Sequence, residues 1–223
     1  MKKHSLIVIE GLDGSGKGTQ TALLRDRILS SGHAVRHISF PNYAESSAAL
    51  VKSYLAGEFG SSPDSVNAYA ASSFYAVDRY AAYKKHWQGD YLSGVNILAD
   101  RYSTSNAVYQ MTKLPREQWD CFLKWLEDYE YRLLELPSPD KVIYLDMPPQ
   151  VSQLLMSGRY SGDESRKDIH EADLSFQEQC RQSALYAAQK LGWQVIACSD
   201  GVNPRGIEQI SDEIWNAVQG SLI

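Results

Sequence analysis

The residues best suited to chemistry lie near the amino terminus, in a glycine-rich stretch with one lysine. Residues 11–19 read Gly-Leu-Asp-Gly-Ser-Gly-Lys-Gly-Thr and follow an apolar run at 6–9. Glycines let successive backbone N–H groups turn toward an anion, a helix N-terminus adds partial positive charge, and a lysine adds a full one. The order predicts a P-loop that binds the phosphates of ATP through Gly11, Leu12, Asp13, Gly14, Ser15, Gly16, Lys17, Gly18 and Thr19.

This loop departs from the strict P-loop pattern at one position. That pattern places Ser or Thr directly after the lysine, where its hydroxyl meets magnesium, but Gly18 stands there and Thr19 follows. We predict Thr19 as the hydroxyl nearest a Mg²⁺ ion, with Asp100 as a further ligand, partly through water.

A second group of reactive residues spans 100–110, Asp-Arg-Tyr-Ser-Thr-Ser-Asn-Ala-Val-Tyr-Gln, directly after an apolar run at 95–99. Arg101, at the end of a strand, can donate two parallel hydrogen bonds to a phosphate. Asp100 can fix the guanidinium of Arg101 or hold a metal-bound water. Asn106 and Tyr109 lie about one helical turn apart, so an amide that reads a base edge and a phenol that crowds a sugar 2′ position can face one pocket.

An aromatic residue and a cation occur upstream at helical spacing. Tyr75 and Arg79 are four residues apart and share a helix face, where they suit stacking on a pyrimidine and donation to its carbonyl.

These strings resemble known nucleotide kinases. Gly-Lys-Gly-Thr-Gln at 16–20 is similar to adenylate and pyrimidine nucleoside monophosphate kinases, whereas residues 10–17 and 100–110 resemble thymidylate kinases. The second resemblance implies transfer of a phosphoryl group from ATP to dTMP with Mg²⁺, and a homodimer. It also implies that dTMP is bound by Asp13, Phe40, Pro41, Tyr75, Arg79, Arg101, Ser105, Asn106, Tyr109 and Gln110.

The chain differs from the family pattern at two places in this pocket. Tyr75 stands where the family usually has Phe, with Phe74 as the alternative stacking residue. After Phe40 and Pro41, many members carry an Arg where this chain has Asn42, which puts one phosphate contact in doubt.

The resemblance also implies a lid rich in arginine. Some thymidylate kinases carry an arginine inside the phosphate loop, at the position of Gly14, and the others supply arginines from the lid. The polar stretch 157–167 contains Arg159, Arg166 and Lys167. We therefore predict a lid at about 157–171 and the catalytic residues Lys17, Arg101, Arg159, Arg166 and Asp13.

The elements that position these residues follow from hydrophobic periodicity. Short β-rich runs at 6–9, 35–40, 95–99, 142–145 and 195–198 alternate with segments of helical period. Apolar residues recur at spacings of three and four over 119–133, 176–191 and 207–218, which predicts an amphipathic helix in each. This alternation predicts an α/β fold, a five-stranded parallel sheet with helices on both faces, in one P-loop kinase domain over 1–223. A monophosphate-binding insertion is predicted at about 41–75. Ligands bind beyond the carboxyl ends of such strands.

Composition narrows the function classes. The 223 residues carry 22 Lys and Arg against 27 Asp and Glu, a net charge of −5, which argues against a nucleic-acid partner or a membrane anchor. Three scattered cysteines indicate a reducing compartment, and no apolar run is long enough for a signal peptide or a transmembrane helix. We expect a cytoplasmic location.

Two alternatives stay open. The first is that the chain is another nucleoside monophosphate kinase, acting on UMP, CMP or AMP. Residues 18–20 suggest this alternative, and residues 100–110 argue against it. The second is that the chain is a nucleotide-dependent switch of the GTPase kind. The absence of an Asn-Lys-x-Asp sequence, which would recognise guanine, argues against this alternative.

Overall fold

The computed structural model describes residues 5–60, 62–159 and 174–222. Within this part, five parallel strands form one sheet in the order β2-β3-β1-β4-β5. The strands are β1 (Leu6–Gly11), β2 (Val35–Ser39), β3 (Asn96–Asp100), β4 (Lys141–Asp146) and β5 (Gln194–Ala197). The five-strand prediction is confirmed, with ends shifted by one or two residues.

Nine α-helices surround the sheet in the described residues. They are α1 (Lys17–Ser30), α2 (Ala49–Leu55), α3 (Ala68–Ala82), α4 (Gln88–Ser93), α5 (Thr104–Tyr109), α6 (Trp119–Glu127), α7 (Pro149–Arg159), α8 (Leu174–Leu191) and α9 (Ile207–Val218). Two π-helical segments, Tyr83–Trp87 and Asp128–Leu133, join α3 to α4 and extend α6. None of the helices within these residues is long and apolar enough to cross a membrane.

The central strand β1 has no exposed face. Leu6 and Val8 belong to the core on one side of the sheet, and Ile7 and Ile9 to the core on the other, because successive side chains of a strand point to opposite faces. Helices α1 and α9 contribute to the second core. A strand that is buried on both faces has apolar side chains at every position. Residues 6–9 are therefore all apolar and do not alternate between apolar and polar side chains.

The strand order creates a crevice at the carboxyl end of β1. The chain leaves β1, forms β2 and β3 on one side of it, and forms β4 and β5 on the other. The carboxyl ends of β1, β2 and β3 therefore open onto a common space, as expected at a point where strand order reverses. The glycine loop, Phe40 and Arg101 all follow these three ends.

Candidate functional site

The glycine loop joins β1 to α1, and two of its glycines are required by geometry. A Cβ on Gly11 would lie 2.6 Å from the Ser15 hydroxyl and 3.1 Å from the Leu145 carbonyl oxygen, so no side chain fits there. Gly16 precedes α1 with φ +87°, a left-handed conformation that favours glycine. The loop thus presents the free N–H groups of the α1 N-terminus to an anion.

Lys17 lies in the first turn of α1 and is 8% exposed. Its Nζ donates to the Leu12 carbonyl over 3.0 Å and lies 3.9 Å from an Asp13 carboxylate oxygen. Burial, followed by the positive charge of Arg101, lowers the pKa of Lys17 to about 8, although Asp13 partly opposes the shift. A phosphate bound beside Lys17 would raise this pKa again.

Arg101 follows β3 with φ +66°, a conformation uncommon outside glycine. Its Nη2 donates to Asp13 Oδ1 over 2.6 Å, and its Nη1 donates to the Tyr109 hydroxyl over 3.0 Å. Burial disfavours the charge, but Tyr109 and Asp13 together raise the pKa of Arg101 well above its usual value. The carboxylate that fixes the guanidinium is therefore that of Asp13, and not that of Asp100.

A carboxylate that sequence reasoning left without a role connects these two motifs. Glu10, at the end of β1, is fully buried and accepts hydrogen bonds from the Thr104 hydroxyl over 2.9 Å and the Ser105 hydroxyl over 2.6 Å. It holds the start of α5 against the phosphate loop. The only sequence signal was a charged residue at the end of an apolar run.

A cavity of about 440 Å³ opens beside the loop. The structure brings all ten residues predicted for the acceptor nucleotide to its wall, from the segments that follow β1, β2 and β3, from α3, and from α5 and the residue after it. Tyr75 is among them, whereas Phe74 packs against Tyr54 and Phe59 and is not among the residues that line the cavity. Of the two aromatic candidates for stacking, the structure therefore places Tyr75 at the cavity.

One end of the cavity is occupied by a buried ion pair. Arg79 is 2% exposed and donates Nε and Nη2 to the two carboxylate oxygens of Glu130, over 2.7 and 2.6 Å. The Asn106 amide also donates to Glu130. Glu130 was not predicted, because it lies 51 residues from Arg79 in the chain and no motif surrounds it.

Lys113 is a further cavity residue that the sequence did not indicate. Its Nζ donates to the Tyr54 hydroxyl over 2.7 Å and to the Val66 carbonyl over 2.9 Å. Burial lowers the pKa of Lys113 to about 8. The lysine ties α2 to the segment after α5 and so fixes the outer wall of the cavity.

The carboxyl end of β4 carries a second ion pair. Arg181 of α8 donates Nε and Nη2 to the carboxylate of Asp146, over 2.6 and 2.9 Å. The predicted lid begins near this point. Arg166 lies outside the described residues, as does the side chain of Arg159.

The described residues contain no cluster of three or more metal-ligating side chains. Magnesium commonly binds one or two carboxylates, several waters and the phosphates of the substrate, so a complete protein cage is not needed. Asp100 ends β3, and its negative charge is one of those that partly oppose the lowering of the Lys17 pKa. Thr19 is exposed on the first turn of α1. This donor set fits a hydrated Mg²⁺ shared with phosphates.

Comparison with known proteins gives one consistent answer. The family model described as "Thymidylate kinase" matches residues 9–214. A thymidylate kinase of Mycobacterium tuberculosis strain H37Rv is 32% identical over 205 residues, covering 89% of this chain and 93% of that protein. Thymidylate kinase of Arabidopsis thaliana is 27% identical over 224 residues, covering 98% and 75%.

Proposed function

This chain belongs to the thymidylate kinase family and transfers a phosphoryl group from ATP to dTMP, and we propose that the cavity beside the phosphate loop is its dTMP site. The family resemblance predicted from residues 10–17 and 100–110 is confirmed by the match over residues 9–214. Synthesis of dTDP places the enzyme in nucleotide biosynthesis. The assignment of individual residues to substrate groups is our proposal.

One observation carries the proposal. The carboxylate of Asp13 lies 2.6 Å from Nη2 of Arg101 and 3.9 Å from Nζ of Lys17, so one anion holds two cations side by side. Lys17 belongs to the loop that would bind the phosphates of ATP, and Arg101 faces the cavity. A donor phosphate on Lys17 and an acceptor phosphate on Arg101 would then meet at this point, as in-line transfer requires.

This arrangement supplies what phosphoryl transfer needs. The phosphate of dTMP, with a second pKa of about 6, is already largely ionised at neutral pH, so no general base is required to activate it. Cations must instead bring two anions together and stabilise the charge of the transferring group. Lys17, Arg101 and the loop N–H groups provide the positive charge, and the lid arginines Arg159 and Arg166 are proposed to complete it.

We propose Mg²⁺ as the cofactor, held by Thr19 and Asp100, partly through water. When bound, the ion neutralises phosphate charge and bridges phosphate oxygens. The role of these two residues is to orient that ion relative to Lys17. The proposal is supported by the position of Asp100 at the end of β3, next to the loop.

We further propose a cytoplasmic homodimer. All three cysteines are free, which suits a reducing compartment. Helix α3 exposes Val77 and Tyr80, 48% and 39% accessible, on its outer side. Exposed apolar side chains on a single helix are a common feature of surfaces that associate.

Calorimetric titration tests the phosphate clamp. Because Arg101 lines the cavity and contacts the phosphate loop through the Asp13 side chain alone among the described hydrogen bonds, Arg101→Ala should weaken dTMP binding about 10²-fold, while ATP binding changes by less than about threefold. Unchanged dTMP affinity would refute the clamp. ADP release that does not depend on dTMP would instead favour a nucleotide-dependent switch.

A further inference from the structure

Glu130 is a fully buried carboxylate near the cavity and lies outside every motif that the proposed function uses. It is 0% exposed and sits in the π-helical segment Asp128–Leu133, which extends α6. Single π turns inside helices recur at functional sites. Both of its oxygens are engaged: Oε2 by Nε of Arg79, and Oε1 by Nη2 of Arg79 and by Nδ2 of Asn106 over 3.2 Å.

We propose that Glu130 is a positioning residue that sets the base specificity of the cavity, by fixing which hydrogen-bonding atoms Asn106 and Arg79 present to the base. This inference rests on the proposed dTMP site. It assigns to Glu130 the selection of a pyrimidine with a carbonyl at C4 and a hydrogen on N3, as in thymine and uracil, over cytosine.

The orientation of the Asn106 amide follows from what surrounds it. Its Nδ2 faces Oε1 of Glu130 and, over 3.4 Å, the carbonyl oxygen of Ser72. Both partners only accept hydrogen bonds, so the amide cannot turn without placing its own oxygen against them. The Oδ1 atom has no protein partner in the described part of the chain and is left as an acceptor. An acceptor here suits N3–H of thymine and opposes the bare N3 of cytosine.

The Arg79 guanidinium is fixed by the same carboxylate. Nε and Nη2 are both used on Glu130, and the group lies 5.7 Å from the ring centre of Phe40 and 5.5 Å from that of Tyr102. Within the described residues only its Nη1 lacks a partner, and a guanidinium nitrogen can only donate. A donor suits the O4 carbonyl of thymine and opposes the exocyclic amine of cytosine.

Glu130 also neutralises this end of the cavity. Arg79 carries a full positive charge and is almost completely buried. Pairing with Glu130 raises the pKa of Arg79, although burial acts to lower it. An unpaired arginine here would attract the phosphate of a wrongly oriented nucleotide. With the pair in place, the base end carries no net charge, whereas Lys17 and Arg101 together outweigh the single charge of Asp13 at the phosphate end, so the nucleotide enters in one orientation.

The test compares dTMP with 5-methyl-dCMP, because the two share sugar, phosphate and 5-methyl group and differ only at N3 and C4. We expect kcat/KM of the wild-type enzyme to favour dTMP by about 10³-fold or more. Glu130→Gln should reduce the ratio of kcat/KM for dTMP to kcat/KM for 5-methyl-dCMP at least tenfold, because the Asn106 amide can then turn. KM for dTMP should rise, while kcat at saturating dTMP stays within about threefold.

Two further variants separate positioning from general damage to the fold. Glu130→Asp keeps a negative charge opposite Arg79 but retracts it by one methylene, so the ratio should fall to an intermediate value even if Glu130→Gln does not fold. Asp128→Asn is the matched control, because it breaks an exposed pair with Arg132 in the same π-helical segment. The preference of Asp128→Asn for dTMP over 5-methyl-dCMP should equal that of the wild-type enzyme.

A wild-type ratio in a folded Glu130→Gln or Glu130→Asp enzyme would overturn the inference, whatever happens to thermal stability. So would binding of N3-methyl-dTMP to the wild-type enzyme as tightly as dTMP, since Oδ1 of Asn106 then faces no N3 hydrogen. Absence of dTMP turnover in the wild type would instead overturn the proposed function, which keeps the two failures distinct.

Discussion

At the scale of single residues, Asp13 is the group on which the phosphate site depends. Its carboxylate contacts Arg101 directly and lies near Lys17, so it holds these two cations, proposed to bind the acceptor and donor phosphates, at a fixed separation. Without it, the two positive charges would repel each other in a partly buried place. Burial, followed by the nearby charge of Arg101, lowers the pKa of Lys17, and Asp13 partly opposes this shift.

That lowered pKa predicts a pH dependence. Lys17 titrates near pH 8 in the free enzyme, so its charged form, which binds phosphate, is lost as the pH rises through 8. We expect kcat/KM for ATP to fall above that pH, with kcat less affected, because bound phosphates raise the pKa again. Initial rates from pH 6.5 to 9.5 measure this. In Lys17→Arg, whose charge does not titrate in this range, the decline near pH 8 should be absent; its persistence there would assign the titration to another group.

Several site residues could be predicted because their partners are close in the chain. The loop residues are contiguous, and Tyr75 with Arg79 and Asn106 with Tyr109 follow helical spacing. Glu10 and Glu130 could not be predicted, because each receives its hydrogen bonds from residues dozens of positions away. A buried carboxylate has meaning only once the fold shows which donors surround it.

At the scale of elements, hydrophobic periodicity predicted all five strands and the helices α8 and α9. The segment from Trp119 to Leu133 was predicted as one continuous helix, yet its last six residues are π-helical. A spacing of three and four residues does not reveal the wider turn. The wider turn nevertheless belongs to the site, because it carries Glu130.

The lid is the element whose role is tested by kinetics. If the chain depends on lid arginines, Arg159→Ala or Arg166→Ala should lower kcat about 10³-fold for the one that stabilises the transferring phosphoryl group. Arg132→Ala is a suitable control, because Arg132 is an exposed arginine paired with Asp128. Wild-type kcat in both lid variants would refute the prediction.

At the scale of the whole molecule, the net charge of −5 is compatible with an anionic ligand because the cations are concentrated at one place. Arg101 and Arg79 line the cavity, and Lys17 lies 3.9 Å from the carboxylate of Asp13, which also lines it. Overall charge thus bears on association with large polyanions and says little about a nucleotide.

The proposed homodimer gives a prediction at this scale. If the outer side of α3 is the interface, Val77→Asp should convert the dimer to a monomer, because a buried carboxylate without a partner is costly. Light scattering during size exclusion measures the mass. Val202→Asp, at a residue 71% exposed in a loop, should leave the dimer intact. A wild-type mass of 25.0 kDa would contradict the proposal.

The central claim is that the cavity beside the phosphate loop accepts dTMP in preference to other monophosphates. A coupled assay of ADP release with dTMP, dUMP, UMP, CMP and AMP as acceptors tests it most directly. Tyr109, Asn106 and Arg79 line the cavity. If Tyr109 crowds a ribose 2′-hydroxyl and Asn106 and Arg79 read the edge of thymine, as proposed, dTMP should have the highest kcat/KM. A clear preference for AMP or CMP would contradict it.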